Sequence, residues 1–489
     1  MDEVTPINVI TLQLQSNEFT PPFSLKFFLK THFINKTNLL ILAALLLLYS
    51  DHFMNIYAYL CFLTTIAILI SFITRKLNDN IQYTIAITAT SMAGSLFLVL
   101  LGYFGWFNLD DIATRVIERI DFKDFLLNGI LGFLLFAGAL GIKLPVLNNQ
   151  KWEITTFALF STLASTFFIG FLLYGVALLF GWHIDLIYCI LFGALISPDD
   201  PIAVLAIIKN LKAPKRLSMQ VEGESLFNDG IGLVIFTTVF AVAFGGHEPT
   251  ASGILHLFFK EALGGIAFGL VLGLFAHYLI SATDDGSLEI LLTLIVPTAG
   301  FMLANLLHVS GALAMVVAGI LIGNWTRYTG FSQQSQRYLD HFWEMIDHFL
   351  NSLLFILIGL AILLIHVSWQ GLILIFLAIP VCLICRYASV WLPFQVMKRY
   401  RKYNPYTMKV LTWGALRGGL ALAMALSIPS GQFYIEGLEM DVRDLILGMT
   451  YAVVAFSILV QGMTIETLIR KSKEATMRER GYTGIGLAK

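Results

Sequence analysis

The chain has 489 residues, of which 57% are hydrophobic and 13% charged, and its formal net charge at pH 7 is −1. Soluble proteins carry about 25% charged residues, so this chain has too little charge to cover a water-facing surface of its size. The composition excludes a soluble enzyme, and the balanced charge offers no basic field for nucleic acid. We therefore predict an all-α polytopic membrane protein.

Apolar runs recur along the chain between short polar breaks, and each is predicted to cross the membrane as a helix. They cover residues 38–52, 54–74, 81–106, 125–147, 154–181, 184–208, 219–244, 253–281, 287–307, 309–325, 342–365, 370–396, 407–429 and 443–470. Because 38–52 is cleanly apolar only in its centre, the prediction is thirteen or fourteen spans. The expected domains are an N-terminal segment 1–37, a transmembrane domain 38–471 and a short tail 472–489.

Lysine and arginine concentrate in alternate loops, and such loops stay on the cytoplasmic side of the cell (inner) membrane. The richest loop carries Lys398, Arg399, Arg401, Lys402 and Lys409. The C-terminus is therefore predicted to be cytoplasmic, and so is the N-terminus if fourteen spans are present.

Ionisable side chains inside spans are costly and usually functional. Here they include Asp199, Asp200, Glu224, Asp229, Arg386 and Arg417. At about 1.5 Å per residue, Asp200 lies about 12 Å, and Asp229 and the two arginines about 15 Å, from the cytoplasmic ends of their spans. All four would lie near the middle of a hydrocarbon core about 30 Å thick, which predicts one shared site. For the arginines, a purely structural pairing with carboxylates remains open.

Two of these runs carry residues that interrupt a helix. Pro198 and Pro201 bracket the two adjacent aspartates, and each removes an amide donor. A later run is broken by Gly414, Gly418 and Gly419. Interrupted spans in the two halves of a transporter predict an inverted repeat, with discontinuous crossing helices and a binding site at the midplane.

The segment around Asp229 supplies hard oxygen ligands. Ser225 lies four residues before Asp229 and shares its helix face, while the neighbouring Asn228 can donate hydrogen bonds that fix carboxylates. Glu224 points off that face and is better placed to pair with an arginine of another helix. These groups suit Na⁺, Li⁺ or H⁺ rather than a soft metal. A carboxylate that binds either a proton or a cation, but not both, would exchange the two.

Two other classes of protein compete with this interpretation. Two aspartates on adjacent spans could share one proton in an intramembrane aspartyl protease, although the sequence has no Gly-Asp pair on a predicted helix. A passive ion channel would need repeated filter residues, and none is visible.

The motifs resemble those of the monovalent cation/proton antiporters, in the bacterial sodium/proton exchanger branch. The segments that carry the resemblance are 194–204 (ALISPDDPIAV), 222–230 (EGESLFNDG), 301–324, 342–360 (FWEMIDHFLNSLLFILIGL), the Arg386 segment and 413–426 (WGALRGGLALAMAL). The resemblance extends from about Leu60 to Arg470.

This resemblance implies roles for the ligands. Asp229 would be the proton- and cation-carrying carboxylate, and Asp200, Ser225 and Asp199 would help to bind Na⁺. Asn228 would order the site, and an asparagine there resembles the electroneutral, one-for-one branch.

The family also implies an architecture and a mechanism. Glu224 and Arg386 would form a structural ion pair, and Arg417 would stabilise the unwound crossing. Such proteins are homodimers with a dimerisation domain and a core domain that moves as an elevator. The expected function is exchange of Na⁺ or Li⁺ for H⁺ without a cofactor, in support of pH homeostasis, with K⁺/H⁺ exchange as the alternative.

Two positions depart from the family pattern. Asp199 stands where the family motif has threonine. Ala137, in the stretch Phe136–Leu140, stands where relatives often carry a glutamate. Our hypothesis is that Asp199 compensates for the acid missing at Ala137, and an Asp199→Thr variant with unchanged cation affinity would contradict it.

Overall fold

The computed structural model describes residues 61, 64–65, 68–69, 72, 85–86, 88–93, 122–213, 215–245, 250–365, 368–401, 403–431, 433–435 and 437–479. The predicted segment 1–37 and the predicted span 38–52 lie outside the described residues. The runs 54–74 and 81–106 are described only at scattered positions.

From Phe125 onward the described chain is almost entirely helical. The helices are α1 (Phe125–Gly141), α2 (Leu144–Leu179), α3 (Leu186–Ile196), α4 (Ile202–Asn210), α5 (Lys215–Phe244), α6 (Ala251–Ser281), α7 (Gly286–Leu306), α8 (Gly311–Leu321), α9 (Gln333–Leu360), α10 (Trp369–Lys398), α11 (Thr407–Trp413), α12 (Gly419–Leu426) and α13 (Val442–Met477). Two short strands, β1 (Tyr434–Ile435) and β2 (Met440–Asp441), pair antiparallel between α12 and α13.

Seven helices in the described part of the chain are long and apolar enough to cross a membrane: α2, α5, α6, α7, α9, α10 and α13. A helix satisfies its own backbone hydrogen bonds, which is what a lipid environment demands. Large apolar side chains remain exposed on α6, including Leu263, Val271 and Phe275, as expected of a surface that faces lipid. The prediction of a helical, multi-pass membrane protein is confirmed.

Both predicted interruptions are present. The first separates α3 from α4 at residues 197–201, and the second separates α11 from α12 at residues 414–418. In each break the chain leaves the helix within the stretch where proline or glycine was expected to disrupt it.

Helix α5, which carries Asp229, packs against α2, α3, α6 and α8. Two glycines on α5 allow these close approaches. A β-carbon at Gly230 would lie 2.7 Å from the Leu313 side chain, and one at Gly232 would collide with Pro198. The helix is therefore packed directly against the first break.

One predicted loop is helical instead. The polar stretch between the runs 125–147 and 154–181 was expected to separate two spans, but α2 begins at Leu144. Pro145 occupies the first turn, where its missing amide costs nothing. The carboxylate of Glu153, on α2, is buried. Ion pairs with Arg216 at 2.8 Å and Arg401 at 3.1 Å compensate the cost of burying its charge.

Candidate functional site

The two breaks cross each other. The amide of Asp200 donates to the carbonyl of Leu416 over 2.8 Å, which forms an isolated antiparallel bridge between them. The carboxylate of Asp200 lies against the backbone at Gly418, where a β-carbon would collide with it. A glycine at this position therefore lets the side chain of Asp200 lie directly against the backbone of the second break.

Replacing Gly418 with alanine should disturb this crossing, because the added methyl group overlaps Asp200. Overpacking of a close contact typically costs about 1–3 kcal/mol, so we expect a lower melting temperature. The control is Gly175→Ala, since a β-carbon there meets nothing within 4 Å. Equal melting temperatures of the two variants would show that the close contact at Gly418 is dispensable.

Asp229 lies on α5 and keeps partial exposure, as does Asp200. Its neighbour Asn228 contacts the amide of Asp199, and Gly232 lies against Pro198, so Asp229 lies beside the break that carries Asp200. Within the described part of the chain, no hydrogen bond or ion pair joins Asp229 to another side chain. The structure thus brings together the two aspartates predicted to share the site, and it does not tie Asp229 to an arginine.

The side chains of Ser225 and Asn228 hold the backbone of the first break. The hydroxyl of Ser225 donates a hydrogen bond to the carbonyl oxygen of Asp199. The amide of Asp199 donates to Oδ1 of Asn228 over 3.3 Å. Both predicted site residues of α5 therefore fix the residue that immediately precedes Asp200.

A chain of buried charges lies beside the crossing. Arg386 Nη2 is 2.6 Å from Glu224 Oε1, so the expected ion pair between α10 and α5 is present. The same nitrogen lies 2.5 Å from Asp199 Oδ2, and Arg417 forms an ion pair with Asp199 Oδ1. All four side chains are at most 7% exposed, in contrast to the partly exposed Asp200 and Asp229.

Arg417 is held at the second break by several contacts. Its amide donates to Ser457 Oγ over 3.0 Å, and its Nη1 donates to the carbonyl of Pro198 over 3.3 Å. The second of these contacts joins the two interrupted segments directly. Ser457 was not among the residues predicted from the sequence, because a lone serine in an apolar span carries no distinguishing signal.

The sequence prediction also missed a polar cluster around Glu153. Its carboxylate binds Arg216 and Arg401 and accepts a hydrogen bond of 2.8 Å from the hydroxyl of Tyr403. Burial, together with this hydrogen bond, raises the pKa of the Tyr403 hydroxyl. The cluster joins the beginning of α5, the first third of α2 and the segment between α10 and α11. The signal that could have revealed this cluster was an acidic residue at the beginning of an apolar run, together with arginines in the basic loops.

Comparison with known proteins places this geometry in a family. The profile described as "Sodium/hydrogen exchanger, transmembrane" matches residues 62–471. The Na⁺/H⁺ antiporter NhaP of Pseudomonas aeruginosa is 44% identical over 392 residues, which is 79% of this chain and 90% of that protein. The Na⁺/H⁺ antiporter NhaH of Halobacillus dabanensis is 31% identical over 367 residues, 74% of this chain and 87% of its own.

The fold is shared with a solved structure. The sodium proton antiporter MjNhaP1 from Methanocaldococcus jannaschii, at pH 8, matches with a TM-score of 0.67 at 17% identity. The match covers 85% of this chain and 98% of that one. The predictions of an antiporter fold and of a protein that is not an enzyme are confirmed, since this family consists of membrane transporters. The chain is a member of the sodium/hydrogen exchanger family.

Proposed function

We propose that this protein exchanges Na⁺ or Li⁺ for H⁺ across the bacterial inner membrane. The observation that carries the proposal is the contrast in exposure within one cluster. Asp200 and Asp229 are partly exposed at the crossing, whereas Asp199, Glu224 and both arginines are buried. The relatives named above as Na⁺/H⁺ antiporters support the same function.

The proposed cation ligands are all hard oxygen donors. They are the carboxylates of Asp229 and Asp200, the hydroxyl of Ser225 and the carbonyl of Asp199, with Asn228 ordering the backbone. Unwound segments in a membrane supply backbone carbonyls that can coordinate a cation. The mechanism needs no cofactor, because the transported ions are the only species that the carboxylates must bind.

Exchange follows from competition at one carboxylate. Asp229 binds either a proton or a cation, and the loaded site moves between the two sides of the membrane. One proton for each cation makes the cycle electroneutral, in keeping with asparagine at position 228. The moving unit is a core domain that slides as an elevator against a dimerisation domain in a homodimer, with the C-terminus in the cytoplasm.

A panel of salts tests this function. Purified protein in vesicles with an acidic lumen is monitored by a pH-sensitive dye while NaCl, LiCl, KCl or choline chloride is added outside. We expect Na⁺ or Li⁺ to drive protons out of the vesicles, and choline to have no effect. A response to K⁺ alone would identify a K⁺/H⁺ exchanger of the same fold, and no response to any cation would overturn the proposal.

Transport should fall at low pH. A proton and a cation compete for Asp229, so a rising proton concentration leaves fewer sites able to load Na⁺. We expect the apparent KM for Na⁺ to increase as the pH falls, with rates restored by more Na⁺. Initial rates at several Na⁺ concentrations between about pH 5 and 9 measure this, and a KM that does not change with pH would argue against competition.

A further inference from the structure

Every polar group of Asp199 is engaged by a different partner. Its carboxylate contacts Arg386 at 2.5 Å and also pairs with Arg417. Its amide donates to Asn228, and its carbonyl accepts from Ser225. Helices α5 and α10 and the second break therefore meet at this one residue, which the family motif fills with threonine.

The position of Arg417 gives this contact its importance. The preceding residue, Leu416, accepts the backbone hydrogen bond from Asp200, and the following residue, Gly418, lies against the Asp200 carboxylate. The guanidinium of Arg417 is 3% exposed. A buried positive charge this close to the proposed cation site would repel a cation, because charges interact strongly where water is excluded.

The balance of negative and positive charges in the cluster depends on the side chain at position 199. Four carboxylates (Asp199, Asp200, Glu224 and Asp229) face two guanidinium groups (Arg386 and Arg417). With a neutral side chain at 199, Arg386 would keep Glu224 as its partner at 2.6 Å. Arg417 would lose the ion pair that the structure gives it with Asp199, and its charge would act on the aspartates of the crossing.

We propose that Asp199 is a positioning residue, the counter-ion that holds and neutralises Arg417 so that Asp200 and Asp229 can attract the cation. The carboxylate of Asp199 does not itself bind the transported ion, since it lies between two arginines. This inference rests on the proposed exchange of Na⁺ for H⁺, and it assigns a specific role to one of the two residues that depart from the family pattern.

The test is a charge-compensation experiment on Na⁺-driven proton movement in vesicles. Asp199→Asn should raise the apparent KM for Na⁺ about tenfold or more, with a smaller effect on the maximal rate. The double variant Asp199→Asn with Arg417→Gln should bring the KM back toward the wild-type value, because both charges of the pair are gone. Asp199→Glu, which keeps the charge, should retain a KM close to that of the wild type.

Glu153→Gln is the matched control, because Glu153 is also a buried carboxylate between two arginines but lies outside the crossing. It should lower the melting temperature and leave the KM for Na⁺ unchanged. For variants that transport too weakly, the increase in melting temperature on addition of Na⁺ reports binding instead. The same order is expected there: a reduced increase for Asp199→Asn, and recovery in the double variant.

Two outcomes would overturn the inference. A wild-type KM in Asp199→Asn would show that its charge does not matter for the cation. A raised KM that persists in the double variant would make Asp199 a direct ligand. Both outcomes leave the proposed function intact. A wild-type protein that moves no protons in response to Na⁺ would instead contradict the proposed function.

Discussion

Asp229→Asn should abolish Na⁺-driven proton movement while the protein still folds. The amide has nearly the shape of the carboxyl group, but it can neither release a proton nor carry the negative charge that attracts a cation. Asp229 makes no ion pair within the described part of the chain, so the substitution breaks no pairing there. Its partial exposure fits a group that ions must reach.

The measurement is dye dequenching in vesicles, with the melting temperature of the purified variant as the check on folding. Asp340→Asn is the matched control, because it makes the same chemical change at a carboxylate that is 61% exposed and paired with Arg327. The control should transport like the wild type. Robust exchange by Asp229→Asn would disprove the central assignment.

The second large effect is on stability. Arg386→Gln should lower the free energy of unfolding by about 3–5 kcal/mol, the usual cost of breaking a buried ion pair. The loss is large because Arg386 forms ion pairs with both Glu224 and Asp199, at 2.6 and 2.5 Å. Its removal takes an ion-pair partner from two buried carboxylates.

Glu224→Gln should be milder, because Arg386 keeps Asp199 as a partner. We expect a loss of about 1–3 kcal/mol, typical of a buried polar group that loses one partner. Thermal unfolding in detergent ranks the two variants. Arg327→Gln, at a partly exposed pair, should change stability by less than about 1 kcal/mol. No loss for Arg386→Gln, or a larger loss for Glu224→Gln, would contradict the shared pairing.

The fold was largely predictable because its signals are local. Long apolar runs identify helices in lipid, and Pro198, Pro201, Gly414 and Gly418 mark breaks through their own backbone chemistry. The pairing of Glu224 with an arginine on another helix followed from the direction in which Glu224 leaves its helix. Each of these inferences depends on residues within a few turns of one another.

The pairing of Asp199 could not be predicted in the same way. Its two arginine partners are separated from it by about two hundred residues of sequence. Arg417 reaches Asp199 because the two breaks cross, and Arg386 reaches it from α10. Asp199 is predicted from the sequence to be a cation ligand, whereas in the structure its carboxylate forms ion pairs with two arginines. The Glu153 cluster was missed for a related reason, since its partners come from two segments that are distant from Glu153 along the chain.

Proton release on Na⁺ addition tests the central claim most directly. Purified protein in weakly buffered detergent solution is titrated with NaCl while the pH is recorded, with choline chloride as the control for ionic strength. If Na⁺ and H⁺ compete for Asp229, Na⁺ should release protons from the wild type but none from Asp229→Asn. Saturable Na⁺ binding by the wild type without proton release, or equal release from Asp229→Asn, would contradict the account.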